Sequence, residues 1–250
     1  MHRYLIQLSY NGTNFHGWQR QDNAVTVQEK IEDCITTALS TKTVIMGCGR
    51  TDTGVHAKIF FAHFDSDQEL NNGLYTHKLN CMLPESIAIQ SLSKVSSDFH
   101  ARFSATERTY HYFLHFNKSP FRFNNSYQFK EGFLDIDRMN KAAQTLLGYQ
   151  DFTSFSKGQT QVFTNNCDVK SAKWTTMDDG LKFEITANRF LRNMVRAVVG
   201  TLLQVGLKKS DIQDVRAIIE SKSRSNAGYS VPASGLYLVN IEYPKELLNV

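Results

Sequence analysis

The order in which strand-like and helical segments follow one another is the feature that most constrains this fold. In the first half, alternating apolar residues predict strands, and apolar residues at helical spacing predict helices. The segments are residues 4–10 (strand), 27–39 (helix, capped by Thr26 with Glu29), 43–48 and 59–64 (strands), 68–79 (helix) and 87–92 (strand). This β-α-β-β-α-β order is the ferredoxin-like or split βαβ arrangement, with helices on one face of an antiparallel sheet.

The second half repeats this order with one helix added. Its segments are a strand at 109–116, a helix capped by Asp135 and ended by Gly148, two strands around the Asp179-Gly180 turn, helices at 189–205 and after a cap at Ser210, and a strand at 236–241. The sequence therefore predicts an α+β protein of two ferredoxin-like units, residues 1–105 and 106–250. Two such units would place a cleft between them, where ligand sites often form.

Composition and charge narrow the class of protein. The 250 residues are 41% hydrophobic, and a net charge of +4 with a pI near 8.8 permits a polyanionic partner without requiring one. No signal peptide follows Met1 and no apolar run approaches ~20 residues, so we expect a cytoplasmic protein without a membrane span. The four cysteines are scattered, unlike those of a zinc site or a disulfide framework, and we expect buried free thiols.

A glycine-flanked loop carries the residues best suited to chemistry. It reads Gly49-Arg50-Thr51-Asp52-Thr53-Gly54-Val55-His56-Ala57. Such a loop can bring backbone close to a ligand, yet it also fits a tight turn whose Asp and Thr side chains bond their own backbone. Asp52-Thr53-Gly54 is also the aspartic-protease triplet, but that chemistry needs two carboxylates and no second such triplet occurs.

Together with six further segments, this loop resembles the TruA-type family of tRNA pseudouridine synthases. The further segments, in the same order, are residues 15–21, 98–105, 110–112, 151–155, 190–196 and 235–238. The matches span nearly the whole chain, so the resemblance is specific. Its departures are Asn11, Thr53, Gln150 and the lack of basic residues in 162–167. They bear on RNA contacts around the loop after Phe155 and leave the proposed nucleophile untouched.

The resemblance implies an isomerase that converts uridine to pseudouridine at positions 38, 39 and 40 of the tRNA anticodon stem-loop. It also implies a homodimer. Asp52 matches the family's catalytic carboxylate, which acts as a nucleophile. The sequence leaves open whether it attacks C1′, assists formation of a glycal or adds to C6. Because the reaction gains and loses no electrons, we expect no redox cofactor.

The roles of the other site residues follow from the same resemblance. Arg196 matches the arginine that keeps the carboxylate ionised, and Tyr110 matches the tyrosine that stacks on the uracil. Arg50 is the candidate for flipping the base, and Leu236 matches the apolar residue beneath the uracil. The candidates for phosphate contacts are Arg20, Arg102, Arg189 and Arg192.

The residues alone allow other interpretations of these positions. Tyr110 lies in a strand whose aromatic residues are typical of a core, and Leu236 fits a core strand equally well. Arg189, Arg192 and Arg196 share one face of the predicted helix at 189–205, which fits either solvent or a phosphate-lined cleft.

Two other classes of function and a metal site are alternatives for the same residues. His111 and His115 share a strand face, but no third ligand is suggested, so we expect structural histidines and no metal. A non-catalytic tRNA-binding protein on this scaffold would bind tRNA and leave uridine unchanged. A small-molecule enzyme is the remaining alternative, because a fold does not determine a function.

Overall fold

The computed structural model describes residues 1–158 and 163–248, and it divides into two compact units. The first unit is Met1–Glu107 with the chain from Leu238 onward, and the second is Arg108–Tyr237. The predicted second domain is residues 106–250, whereas the last strand groups largely with the first unit. Residues 159–162, in the loop after Phe155, lie outside the described part of the chain. No helix among the described residues is long and apolar enough to cross a membrane.

The first unit contains an antiparallel sheet and two helices. Its elements are β1 (His2–Tyr10), α1 (Val27–Leu39), β2 (Met46–Gly47), β3 (His56–Ser66), α2 (Asn72–Met82) and β4 (Ile87–Val95). Strand β1 lies between β3 and β4 and is antiparallel to both, while β2 pairs with the middle of β3. The predicted α+β class with antiparallel strands is confirmed.

Alternating residues of β1 form the centre of the first core. Ile6 and Leu8 are fully buried, and so is Ile31 of α1. At ~25 cal/mol per Å² of apolar surface, burying each such side chain contributes about 2 kcal/mol. The N-cap predicted for α1 is confirmed, since the Thr26 hydroxyl accepts from the Glu29 amide at 3.3 Å.

The strand predicted at 43–48 is shorter than expected and covers only Met46–Gly47. Side chains from α1 take the backbone groups that a longer strand would pair. The Ile45 amide donates to the Glu32 carboxylate at 3.1 Å, and the Ile45 carbonyl accepts from the Gln28 side chain at 3.0 Å. These bonds run from helix to loop, so a pattern of alternating residues does not reveal them.

The second unit has the same kinds of element. They are β5 (Glu107–His115), β6 (Tyr127–Gln128), α3 (Ile136–Thr145), β7 (Val169–Met177), β8 (Gly180–Ala187), α4 (Met194–Gly206), α5 (Ile212–Glu220) and β9 (Leu236–Glu242), which continues into the first unit. Strand β8 lies between β5 and β7 and is antiparallel to both. The predicted Asp179-Gly180 turn joins β7 to β8.

Helix caps in this unit follow side-chain chemistry. The Asp135 carboxylate accepts from the Arg138 amide at 3.0 Å, which confirms the predicted cap of α3. The cap of α5 is Asp211 rather than the predicted Ser210, because the Asp211 amide donates to the Asp214 carboxylate at 2.7 Å in a capping box.

The long helix predicted from Arg189 begins five residues later, at Met194. Asn193 takes a left-handed conformation with φ 67°, which interrupts helical geometry and which asparagine tolerates better than most residues. Arg189 and Arg192 therefore precede α4. The prediction that they share a helix face with Arg196 is wrong.

We predict that removing the Glu32 carboxylate destabilises the protein. Glu32→Ala leaves the buried Ile45 amide without its acceptor and removes a partner of Arg20, so the free energy of unfolding should fall by ~2–3 kcal/mol. Asp33→Ala is the matched control, because Asp33 also bonds Arg20 but is 57% exposed, and it should cost less than ~1 kcal/mol. Urea denaturation measures both, and equal losses would contradict the assignment.

Candidate active site

The loop that contains Asp52 is held by the segment at residues 12–18. The Trp18 amide donates to the Thr51 carbonyl at 3.2 Å, and the Gly54 amide donates to the Phe15 carbonyl at 3.2 Å. The Thr51 hydroxyl is also bonded to the Tyr10 hydroxyl, with 2.8 Å between the oxygens. Backbone bonds and a buried hydroxyl pair thus fix both sides of Asp52.

Two glycines allow residues 12–18 to pack closely against the loop that contains Asp52. Gly17 has φ +90°, and a Cβ there would lie 2.5 Å from the Thr51 carbonyl oxygen. A Cβ on Gly12 would overlap the Val55 carbonyl, and the Gly12 amide donates to Nδ1 of His56 at 3.1 Å. The two backbone segments therefore approach as closely as backbone can.

Asp52 occupies the first position of a tight turn. The Val55 amide donates to the Asp52 carbonyl at 3.1 Å, and Gly54 has φ +78° at the third position, as a type II turn requires. The backbone is thus a tight turn, as the residues alone suggested. The Asp52 side chain is half-buried, and Arg50 is exposed.

The aromatic residues before this loop belong to the core. Phe15 and Trp18 are 5% and 2% exposed, and the Trp18 ring stacks on Phe60 with 4.0 Å between centroids. A Cβ on Gly47 would lie 2.6 Å from the Trp18 ring. These residues support the loop and are not surfaces for an RNA base.

Arg20 is engaged by protein carboxylates. Its guanidinium lies 3.1 Å from Glu32, 3.3 Å from Asp33 and 4.0 Å from Glu29. The hydrogen bond that Arg20 donates to the Glu32 carboxylate raises the pKa of Arg20 above its ordinary value. A phosphate at this position would compete with three acidic groups, so the structure favours a structural role for Arg20.

Arg102 lies on a turn that is fixed from several sides. The Arg3 guanidinium donates to the Phe99 carbonyl at 2.9 Å, and the Tyr243 hydroxyl donates to the Ala101 carbonyl at 2.6 Å. The Ala101 amide donates to Nδ1 of His63 at 3.1 Å, and burial lowers the pKa of His63 to about 4, which keeps this acceptor neutral. Arg102 itself is exposed on a rigid base.

In the second unit, Tyr110 is less buried than Tyr112 and Leu114, which share its face of β5. Tyr112 and Leu114 are 0% and 1% exposed, whereas Tyr110 is half-buried and packs edge-to-face on Phe190 at 5.1 Å. Leu236, at the start of β9, is 6% exposed. Tyr110 is therefore at the edge of the core rather than within it.

The two strand histidines have structural surroundings. His111 Nε2 lies 2.7 Å from the Glu184 carboxylate, and burial lowers the pKa of His115. Among the described residues, no group of three or more His, Cys, Asp or Glu is placed to hold a metal ion. None of the four cysteines forms a disulfide. Only Cys48 and Cys167 are buried, so the expectation of buried thiols is wrong for the half-buried Cys34 and the exposed Cys81.

Arg196 is held by a segment that the sequence analysis did not single out. We call residues 227–232 the strap. The Arg196 Nε donates to the Val231 carbonyl at 2.7 Å, and the Val231 amide donates back to the Arg196 carbonyl at 3.3 Å. Arg189 donates to the Thr164 carbonyl at 3.4 Å, and Arg192 is exposed.

A methyl group at position 17 tests how far the loop that contains Asp52 depends on its backbone contact with residues 12–18. Gly17→Ala forces a Cβ against the Thr51 carbonyl at an unfavourable φ, so we expect the amides of Gly54 and Val55 to exchange hydrogen faster. Gly73→Ala, in an open position of α2, is the control and should leave this exchange unchanged. Unchanged exchange in both variants would show that the loop does not depend on the 12–18 segment.

Comparison with known proteins places this chain in a family. A family model described as tRNA pseudouridine synthase matches residues 7–104 and 142–244. A protein named tRNA pseudouridine synthase A from Parabacteroides distasonis is 48% identical over 251 residues, which cover 100% of this chain and 99% of the relative. The protein of that name from Bacteroides thetaiotaomicron is 47% identical over 253 residues, covering 100% and 93%. Both the matched family model and these near-full-length relatives show that this chain belongs to the tRNA pseudouridine synthase family.

Proposed function

We propose that this chain isomerises uridine to pseudouridine in tRNA, with Asp52 as the nucleophile. The observation that carries the proposal is the turn at Asp52, which backbone bonds hold on both sides while its side chain remains half-buried. The relatives that match this chain end to end are named tRNA pseudouridine synthase A, and the same activity fits the residues on the loop. A nucleophile on a fixed turn needs little reorganisation before attack.

The reaction is balanced without any further reagent. The bond between N1 and C1′ of the nucleotide breaks, the uracil turns, and C5 forms a bond to C1′. The proton that leaves C5 is matched by the proton that N1 gains. A carboxylate can form the covalent intermediate that divides this exchange into two easier steps.

The roles of the remaining site residues belong to the same proposal. Arg196 stabilises the ionised carboxylate, Tyr110 stacks on the uracil, and Leu236 supports the base from below. Arg50, exposed beside Asp52, assists the uridine in leaving its stack, which costs a few kcal/mol. Each role is supported by the family resemblance, those of Tyr110 and Arg196 also by their partial exposure and that of Arg50 by its exposure.

Phosphate contacts are proposed for three arginines. Arg102 and Arg192 are exposed, and Arg189 is half-buried. An arginine with exposed donors suits bidentate contact with a phosphate. We retain Arg20 only as a weaker candidate, because it already forms ion pairs with three carboxylates.

The proposed substrate is the anticodon stem-loop at positions 38, 39 and 40, modified in the cytoplasm. A homodimer is part of the proposal, because it would extend the basic surface beyond the 28 Lys and Arg of one chain. Recognition should rest on RNA shape and backbone, since the deep major groove of an A-form helix is hard to read.

We predict that tritium release from tRNA labelled at C5 of uridine depends on Asp52. Asp52→Asn keeps the size of the side chain and removes the nucleophile, so release should fall by ~10³-fold or more with tRNA affinity retained. Asp67→Asn, which changes an exposed carboxylate of the same unit, should release tritium at the rate of the unaltered protein.

The outcomes separate the competing functions. If the unaltered protein binds unmodified tRNA tightly but releases no tritium, the chain is an RNA-binding protein and the enzyme proposal fails. If tRNA does not bind at all, a small-molecule substrate becomes the better interpretation. Release that survives in Asp52→Asn would remove this carboxylate from the mechanism.

A second prediction concerns the salt dependence of tRNA binding. Arg102→Ala and Arg192→Ala should each weaken binding and reduce the slope of log K against log salt by roughly 0.7–0.9, the amount expected for one phosphate contact. Lys94→Ala is the control, because Lys94 lies 3.4 Å from Glu69 and has no proposed RNA contact. Filter binding between low and moderate salt measures the slopes, and an unchanged slope for Arg102→Ala would remove it from the RNA interface.

A further inference from the structure

We infer that Arg224 is a positioning residue for the reaction, which fixes the strap and through it the guanidinium of Arg196. This inference rests on the proposed function, in which Arg196 stabilises the catalytic carboxylate. Arg224 precedes the strap at the short helical turn Arg224–Asn226, and it is half-buried. It lies outside every segment that carried the family resemblance.

Arg224 bonds the strap at three acceptors. Its Nη1 donates to the Gly228 carbonyl at 3.0 Å and to the Ala227 carbonyl at 3.4 Å, and its Nη2 donates to the Ser230 hydroxyl at 2.8 Å. The guanidinium is planar, so bonds from two of its nitrogens define the orientation of the strap backbone. All three acceptors are uncharged, so Arg224 holds the strap by hydrogen bonds and not by an ion pair.

The Ser230 hydroxyl joins Arg224 to the start of α4. It accepts a second bond from the Asn193 side chain at 2.6 Å, and Asn193 is the residue with φ 67° that sets where α4 begins. One oxygen thus receives donors from Arg224 and from the helix start. A shift of the strap at Ser230 would move both.

Close packing transmits the position of the strap to α4. A Cβ on Gly200 would overlap the Tyr229 carbonyl, and a Cβ on Gly228 would lie 2.6 Å from the Thr201 amide nitrogen. The Gly228 amide donates to the Thr201 hydroxyl at 2.9 Å. Because helix and strap touch through backbone, a displaced strap cannot be absorbed by rotating a side chain.

Arg196 responds to the strap through two bonds to Val231. The Nε bond to the Val231 carbonyl, at 2.7 Å, fixes the plane of the guanidinium. The bond from the Val231 amide to the Arg196 carbonyl, at 3.3 Å, ties the same residue to the helix backbone. Loss of the hydrogen bonds from Arg224 to the strap would therefore reorient the Arg196 guanidinium without removing it.

A double-mutant cycle on single-turnover tritium release tests this coupling. Arg224→Ala should lower the rate by about 10- to 100-fold, as expected when a catalytic group is misplaced, with tRNA affinity kept. In an Arg196→Ala background, the same change should alter the rate by no more than about twofold. Arg224→Lys keeps one positively charged donor group near the strap and should recover part of the rate.

Matched variants separate positioning from general damage. Arg216→Ala removes an exposed arginine of α5 and should leave the rate unchanged. Ser230→Ala removes only the shared hydroxyl, so it tests the inference even if Arg224→Ala folds poorly. It should lower the rate when Arg196 is present and leave the rate of the Arg196→Ala variant unchanged. An equal loss from Arg224→Ala with and without Arg196 would overturn the inference.

A spectroscopic measurement keeps the test independent of activity. The Nε–H resonance of Arg196, assigned by comparison with Arg196→Lys, should shift in Arg224→Ala and in Ser230→Ala because its bond to Val231 is perturbed. An unshifted resonance would overturn the inference whether or not the protein is active. If the resonance shifts but the unaltered protein releases no tritium, the proposed function fails, while the coupling of Arg224 to Arg196 through the strap is supported.

Discussion

The contact on which the proposed chemistry depends is the backbone packing of residues 12–18 against the loop of Asp52. Gly17 admits the Thr51 carbonyl to a place that any Cβ would occupy, so the two segments meet without an intervening side chain. The same segment is tied to α1, because the amides of Val27 and Gln28 donate to the carbonyls of Gly17 and Trp18. These bonds satisfy donors that the start of a helix would otherwise leave unpaired. The helix, the buried Trp18 and the turn at Asp52 are therefore tied together in the first unit.

The second unit positions its proposed functional arginine by the same physical means. Glycines at 200 and 228 let the backbones of α4 and the strap approach closely. The hydrogen bonds at Val231 then fix the Arg196 side chain relative to the strap. In both units a charged side chain extends from backbone that leaves no room for adjustment. Holding reacting groups within a fraction of an ångström contributes much of a catalytic rate, so tight packing behind the site is part of its function.

The sequence predicted what depends on local patterns and missed what depends on distant partners. The caps at Thr26 and Asp135 and the Asp179-Gly180 turn are each determined by a few neighbouring residues, and they were predicted correctly. The start of α4 was misplaced because Asn193 takes a left-handed conformation and bonds Ser230, 37 residues away. The site residues came from a family resemblance, and periodicity alone would have left Tyr110 in the core. The roles of Gly17 and Arg224 could not be predicted, since one sequence does not show which backbone segments lie together.

The proposed function can be tested by mapping pseudouridine in an unmodified tRNA after incubation with the purified protein. Carbodiimide labelling followed by reverse transcription locates each pseudouridine along the RNA. We expect new stops at uridines 38, 39 and 40 and nowhere else, and none when the tRNA is incubated with Asp52→Asn. Modification by Asp52→Asn at the same positions would show that this carboxylate is not the nucleophile, and no modification by the unaltered protein would show that the proposed function is wrong.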